Sequence, residues 1–122
     1  MKITGIEYWT VTMPLAVSYT IAYETVGEAA NVFVKIHTDR GVTGCGCAAP
    51  DLPVTGETTE TVEASFRSVE DLLIGADPLR RIMLLENLRS ALPEQPSARA
   101  AIDMALHDIM GKQAGQPLWR IL

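Results

Sequence analysis

The chain has 122 residues, of which 48% are hydrophobic and 20% are charged, and its formal net charge is −5 at pH 7. This mixture predicts one globular domain with a hydrophobic core, and it argues against nucleic acid as a partner because lysine and arginine form no basic patch. The sequence contains no run of about 18 apolar residues, so it predicts no membrane span. The first residues make a poor signal-peptide core, so we expect a cytoplasmic protein.

The first third of the sequence favours β-structure. Residues 2–13 mix β-branched and aromatic side chains with polar ones, which predicts a strand that Pro14 ends. Residues 15–30 have no clear period and predict a long loop. Residues 31–38 alternate apolar and polar side chains, as a half-buried strand does.

A turn signal follows this alternating stretch. Asp39-Arg40-Gly41 has the composition of a hairpin turn, and residues 42–48 return as a glycine-rich strand. We therefore predict a three-stranded antiparallel meander followed by a loop over residues 48–57.

The hydrophobic period changes from 2 to 3.6 near residue 57, which predicts helices. The first helix has an apolar stripe that Gly75 ends, formed by Val62, Phe66, Val69 and Leu73. Asp77 and Pro78 predict the N-cap and first residue of a second helix. Its apolar face is predicted to contain Leu79, Ile82, Leu85, Leu88 and Leu92.

A third helix is predicted from Ser97, as its N-cap, to Gly115, where Pro117 prevents continuation. Its buried side is predicted to contain Ala98, Ala101, Ile102, Ala105 and Ile109, and the alanines permit close packing of another backbone. The order of elements predicts an α+β domain, with three helices on one face of a small sheet.

The residues that carry chemistry are few. Cys45 and Cys47 are predicted to be small buried thiols, because a C-x-C pair supplies only two of the four ligands of a structural zinc site. Asp103 and His107, spaced i,i+4, suit a metal site or an acid–base pair, although a surface hydrogen-bonded pair is commoner. Gly44-Cys45-Gly46 is not followed by the helix that a phosphate loop needs. The residues alone predict no self-contained active site.

Two longer motifs carry a family resemblance. Residues 100–108 read AAIDMALHD, residues 115–118 read GQPL, and residues 32–46 read VFVKIHTDRGVTGCG. These stretches resemble the third helix and central hairpin of the N-terminal capping domain of the enolase superfamily, in its mandelate racemase/muconate lactonizing enzyme group. Two positions depart from the usual pattern: His107 replaces an aromatic residue, and Cys47 stands where glutamate is frequent.

One subgroup resembles the chain more than the others. Residues 50–64, PDLPVTGETTETVEA, are similar to a loop and helix start of the dipeptide epimerases, and residues 14–26 are similar in outline to their specificity loop. Muconate cycloisomerases and o-succinylbenzoate synthases share this lid, so they remain alternatives. A stand-alone binding or structural module without catalysis is a further alternative.

The resemblance implies a second domain. In the family, a (β/α)₈ barrel of about 200–250 residues follows the capping domain, and it supplies acid–base lysines, Mg²⁺ and the metal ligands. Proton abstraction next to a carboxylate then gives an enolate stabilised by Mg²⁺. We expect residues 1–116 to be the capping domain and residues 117–122 the start of the linker to an absent barrel. Neither catalytic residues nor a metal site are expected in this chain, which should be inactive alone.

The resemblance also implies which residues contact substrate. Two loops close over the barrel mouth, and they correspond to residues 18–26 and 50–56. The candidate substrate contacts are Tyr19, Ile21, Tyr23, Glu24, Val54 and Thr55. Glu24 stands where a cation is expected in epimerases of acidic dipeptides, so charge complementarity favours a cationic or neutral substrate side chain. Without a barrel, we expect the apolar end of the chain to make the domain self-associate or to leave it marginally stable.

Overall fold

The computed structural model describes residues 1–22 and 24–122. Three strands, β1 (Ile3–Thr20), β2 (Thr25–Thr38) and β3 (Thr43–Ala48), form one antiparallel sheet in the order β1-β2-β3. The helices that follow in this part of the chain are α1 (Leu52–Thr55), α2 (Thr59–Ser68), α3 (Glu70–Leu73), α4 (Arg81–Ala91), α5 (Pro96–Ala114) and α6 (Leu118–Ile121). The predicted meander followed by helices is confirmed. None of these helices has both the length and the apolar character needed to cross a bilayer.

The first two strands extend well beyond the sheet as a two-stranded ribbon. Pro14 pairs with Glu28, and after an irregularity Tyr19 and Thr20 pair with Val26 and Thr25. The predictions that Pro14 ends the first strand and that residues 15–30 form a loop are therefore wrong. Proline lacks an N–H donor but is tolerated here because β1 is an edge strand.

The core lies between one face of the sheet and the helices. Val32, Val34 and Ile36 of β2 are fully buried on this face. On β3, a Cβ at Gly46 would lie 1.8 Å from the carbonyl oxygen of Ala101, and one at Gly44 would lie 2.0 Å from that of Ala105. The predicted close approach along the alanine side of α5 is confirmed, and it leaves no room for side chains on these β3 residues.

The first predicted helix is present but broken into α2 and α3. Thr58 caps α2: its side chain accepts from the Thr61 N–H at 3.2 Å, and the Thr61 hydroxyl accepts from the Thr58 N–H at 2.9 Å. The predicted stripe of Val62, Phe66, Val69 and Leu73 is buried as expected.

The second predicted helix starts later than expected, at Arg81. The Asp77 carboxylate accepts from the Leu79 N–H at 3.0 Å, and its carbonyl accepts from the Arg80 N–H at 3.0 Å. Asp77 and Pro78 therefore begin a turn, and the N-cap prediction is wrong. The shift changes the buried face as well: Leu79 and Ile82 are exposed, whereas Leu84 is buried beside Leu88 and Leu92.

The third predicted helix, α5, begins at Pro96 and ends at Gly115, whose φ of 63° gives the left-handed C-cap that the sequence predicts. All five residues predicted for its inner side are buried. Ser97 is not the N-cap. It lies inside the first turn, and its backbone N–H donates to the Glu57 carboxylate.

The outer face of the sheet carries the cysteines. Cys45 pairs with Lys35 and Cys47 with Phe33, so both thiols point away from the helices. Cys45 is exposed, Cys47 is half-buried, and both are free, so the prediction of two buried thiols is wrong. Burial raises the pKa of the Cys47 thiol, and a hydrogen bond with the Asn31 side chain opposes part of that rise.

Candidate functional site: an acidic groove

A groove of about 500 Å³ lies between the outer end of the β1–β2 ribbon and the segment that follows β3. We call it the acidic groove. Its lining in the described part of the chain consists of Tyr19, Ile21, residues 24–31 and residues 49–53. Two segments that are separated in sequence by residues 32–48 therefore form one concave surface.

The first wall of the groove is the tip of the ribbon. The Ile21 N–H donates to the Glu24 carbonyl at 2.8 Å, and the hydroxyls of Thr20 and Thr25 are 3.0 Å apart. These bonds hold together the two strand ends that carry the predicted contacts Tyr19, Ile21 and Glu24. The structure thus brings these three residues to the same groove, whereas Tyr23 lies outside the described residues.

The second wall is a single helical turn. The Asp51 carbonyl accepts from the Val54 N–H at 3.1 Å and from the Thr55 N–H at 2.8 Å. Gly56 ends α1 with φ of 72°. Val54 and Thr55, the two predicted contacts on this segment, lie on the turn but not on the groove lining, which is formed here by residues 49–53.

The charge of the groove has one sign. Its described lining contains the carboxylates of Glu24, Glu28 and Asp51 and no lysine or arginine. Within the described residues, none of these carboxylates makes an ion pair with a lysine, arginine or histidine. The groove therefore offers uncompensated negative charge to whatever enters it.

Sequence reasoning missed two of these carboxylates. Glu28 falls in the segment predicted as a loop, and a loop prediction assigns no face to a side chain. The observed strand does assign one, because Val26 and Glu28 are two residues apart on β2. Asp51 falls in a loop that the resemblance did identify, and its acidic side chain beside two prolines was the available signal.

The remaining titratable pairs lie outside the groove. His107 Nδ1 is 3.0 Å from both the Asp103 carboxylate and the Asp103 carbonyl oxygen. Arg81 approaches the same carboxylate at 3.3 Å, so Asp103 joins α4 to α5. His37 Nε2 lies 3.2 Å from a Glu7 oxygen on the outer sheet face. The Arg81–Asp103 and His37–Glu7 contacts each join neighbouring elements of the fold, whereas Asp103 and His107 lie on the same helix.

The described residues do not fit a divalent metal site. Among them, no group of three or more histidine, cysteine, aspartate or glutamate side chains comes close enough to hold an ion. Mg²⁺ ordinarily binds through oxygen ligands in near-octahedral geometry. Two isolated acid–histidine pairs and three spread carboxylates do not supply that arrangement.

The chain is similar over its whole length to epimerases. It is 44% identical to the L-Lys-D/L-Arg epimerase of Desulforapulum autotrophicum and 41% identical to that of Methylococcus capsulatus, covering 100% of this chain and 35% of each relative. It is 33% identical to the L-Ala-D/L-Glu epimerase of Bacillus subtilis, again over 100% of the chain and 34% of the relative. The chain thus spans about a third of the length of these curated relatives.

Solved structures and a family model agree with this similarity. The dipeptide epimerase of Methylococcus capsulatus, in complex with Mg and L-Arg-D-Lys, superposes with a TM-score of 0.92 at 40% identity, over 99% of this chain and 34% of that one. The N-succinyl Arg/Lys racemase of Bacillus cereus gives 0.93 at 33% identity, over 99% and 33%. The family model described as mandelate racemase / muconate lactonizing enzyme, N-terminal domain, matches residues 3–122. The chain therefore belongs to this family, as its N-terminal capping domain.

Proposed function

We propose that this domain is the specificity cap of a dipeptide epimerase whose substrates carry cationic side chains. The observation that carries the proposal is the acidic groove, in which Glu24, Glu28 and Asp51 face no cation among the described residues. The names of the two relatives above 40% identity, both L-Lys-D/L-Arg epimerases, agree with it.

The magnitude of the electrostatic preference follows from the exposure of these groups. Glu24 and Glu28 are exposed and Asp51 is half-buried, so each contact with a substrate ammonium or guanidinium is worth about 0.2–1 kcal/mol. Three such contacts would favour a cationic over a neutral side chain by roughly 3- to 150-fold in affinity. An acidic side chain would be repelled instead.

The apolar residues around the groove suit the stems of the same side chains. Leu52, Val54 and Tyr19 are 63%, 66% and 53% exposed. Lysine and arginine have long methylene stems that pack on apolar surface while the charged end reaches polar groups. We propose that Tyr19, Ile21 and Val54, with Tyr23 and Thr55, contact the substrate and exclude water when the cap closes.

The chemical step requires groups that the described residues do not supply. Epimerisation removes a proton next to a carbonyl group and returns a proton to the opposite face, so it needs paired acid–base groups. We propose that a catalytic barrel beyond residue 116 supplies them together with Mg²⁺, and that residues 1–116 form the cap while residues 117–122 begin the linker. On this proposal the chain alone neither epimerises dipeptides nor binds Mg²⁺ tightly. The cytoplasmic location expected from the sequence stays a prediction.

The groove argues against two other functions of related enzymes. Muconate and succinylbenzoate are dicarboxylates, which three uncompensated carboxylates would repel. A cationic dipeptide gains from the same charges, so the epimerase reading is favoured over a cycloisomerase or a succinylbenzoate synthase.

The test uses the domain joined to its catalytic domain, which we call the capped enzyme. We expect kcat/KM for a Lys- or Arg-containing dipeptide to exceed that for a Glu-containing dipeptide by at least about tenfold, and the double change Glu24→Gln with Asp51→Asn to reduce this preference. Glu60→Gln is a matched control, because Glu60 is an exposed carboxylate of α2 away from the groove lining. An unchanged preference in the double variant would overturn the proposal.

A further inference from the structure

We propose that Glu57 is a positioning residue for the acidic groove: it fixes the turn that carries Asp51 by binding the N-terminus of α5. This inference rests on the proposed function for the substrate with which KM is measured. Its structural measurement, amide hydrogen exchange, does not depend on that function. Glu57 lies outside the groove lining and is not expected to touch substrate.

Glu57 is a buried carboxylate with well-defined partners. Only 1% of the residue is exposed. One carboxylate oxygen accepts from the Ser97 N–H at 2.9 Å, and the other accepts from the N–H groups of Ser97 and Ala98 at 3.2 and 3.3 Å. A buried carboxylate without such donors would be strongly unfavourable, so these hydrogen bonds fix the position of the Glu57 side chain.

The donors belong to the first turn of a long helix. The first N–H groups of a helix have no partner within the helix, and the helix dipole attracts negative charge to this end. In α5, Pro96 occupies the first position, and Gln95 provides no side-chain cap. Glu57 therefore serves as the cap of α5 from 40 residues away in sequence.

The same residue is the end of the groove wall. Residues 51–56 form one hydrogen-bonded turn, in which the Gly56 N–H donates to the Leu52 carbonyl at 3.1 Å. Glu57 follows directly, and Thr58 then caps α2. The turn thus has one fixed point after it, at Glu57, and another before it, at the buried residue Ala48. Releasing Glu57 would free the turn at its C-terminal end and let Asp51 move relative to the ribbon.

A purely structural cap would behave differently from a positioning residue. Loss of a cap lowers the stability of the fold, and this loss alone would not change substrate affinity in an enzyme that is still folded. A positioning role instead couples Glu57 to the mobility of residues 52–56 and to KM.

The experiment compares Glu57→Gln with Ile102→Val in the capped enzyme. Ile102 is fully buried in α5, so its change lowers stability without touching the turn. We expect Glu57→Gln to speed amide hydrogen exchange at the hydrogen-bonded N–H groups of residues 54–56 by about tenfold and to raise KM about three- to tenfold with little change in kcat. Ile102→Val should do neither at a similar melting temperature.

The outcomes separate this inference from the proposed function. KM is measured with whichever dipeptide the enzyme turns over best, so a different substrate preference overturns the proposed function and leaves the Glu57 test intact. If Glu57→Gln does not fold, Glu57→Asp keeps the charge with a shorter reach, and exchange and KM are expected to rise above those of the unmodified enzyme. Exchange and KM equal to those of Ile102→Val, in whichever variant folds, would show that Glu57 is only a helix cap.

Discussion

Two regions of this domain differ in how deeply their apolar side chains are buried. The body, formed by residues 32–48 and helices α2 to α5, contains side chains such as Val34, Phe66 and Ile102 that are fully buried. The rim, formed by residues 14–30 and 49–56, contains exposed apolar side chains such as Val17 and Val54, which are 80% and 66% accessible. Stability is therefore concentrated in the body, whereas the candidate contacts with substrate are on the rim.

The largest contrast is expected between two glycines. Gly46→Val in the body should leave the chain unfolded, because a Cβ there would lie 1.8 Å from the Ala101 backbone. Overpacking a core usually destabilises the fold by roughly 1–3 kcal/mol, and a clash with a backbone costs more. Gly27→Val on the rim should stay folded, since nothing lies within 4 Å of its Cβ position. Circular dichroism during urea denaturation measures both. A folded Gly46→Val protein would contradict the packing described here.

The next contrast compares two aromatic residues. Phe66→Ala should cost about 3–5 kcal/mol, because Phe66 is fully buried and its ring lies 5.6 Å from that of Tyr8. Tyr19→Ala should cost less than about 0.5 kcal/mol, as surface changes usually do, and should instead raise KM in the capped enzyme. Urea midpoints and steady-state kinetics separate the two effects. A stability loss at Tyr19 equal to that at Phe66 would remove the distinction between body and rim.

The end of the chain tests a third region. Trp119 and Leu122 are 75% and 82% exposed on and after α6, and a large apolar side chain gains about 1.5–3 kcal/mol on full burial. We expect the 122-residue chain to self-associate at high concentration, or to be only marginally stable. We expect a chain ending at Gly115 to remain monomeric. Light scattering at several concentrations measures the mass. Equal mass and equal melting temperature for both chains would show that this end has no such role.

The smallest effect concerns the two thiols. Burial raises the pKa of Cys47, so a smaller fraction of it is thiolate at pH 8 than for an unburied cysteine. Cys45 is exposed on the same face, and we expect it to be alkylated several times faster. The rate at Cys47 should rise as the pH approaches its raised pKa. Mass spectrometry after brief iodoacetamide treatment gives the two rates, and faster modification of Cys47 at pH 8 would contradict the assignment.

The body could be predicted from the sequence because local patterns are consistent there. Residues 31–38 alternate, the stripe from Val62 to Leu73 has helical spacing, and Gly115 ends α5, so sequence and structure agree at each of these points. These patterns exist because one face of each element is buried.

The rim could not be predicted in the same way. Both faces of the ribbon near Val17 meet solvent, so no alternation indicates a strand over residues 15–20. Outside the rim, a hydrogen bond from the Leu79 N–H to the Asp77 side chain forms a turn that resembles a helix N-cap in sequence. The Glu57–Ser97 contact joins residues 40 positions apart, and no local pattern reports it. The groove could not be predicted because it is formed by the ribbon and residues 49–53, which only the tertiary structure brings together.

On the proposed function, the charge of the rim selects the substrate. The most direct measurement is the ratio of kcat/KM for an Arg-Lys dipeptide to that for an Ala-Glu dipeptide, in the capped enzyme and in its Asp51→Lys variant. We predict a ratio well above one in the unmodified enzyme. We expect a fall of at least about tenfold in the variant, because a lysine in the groove repels cations and attracts the glutamate side chain. A ratio that is near one at the start, or that does not change with Asp51→Lys, would contradict the account.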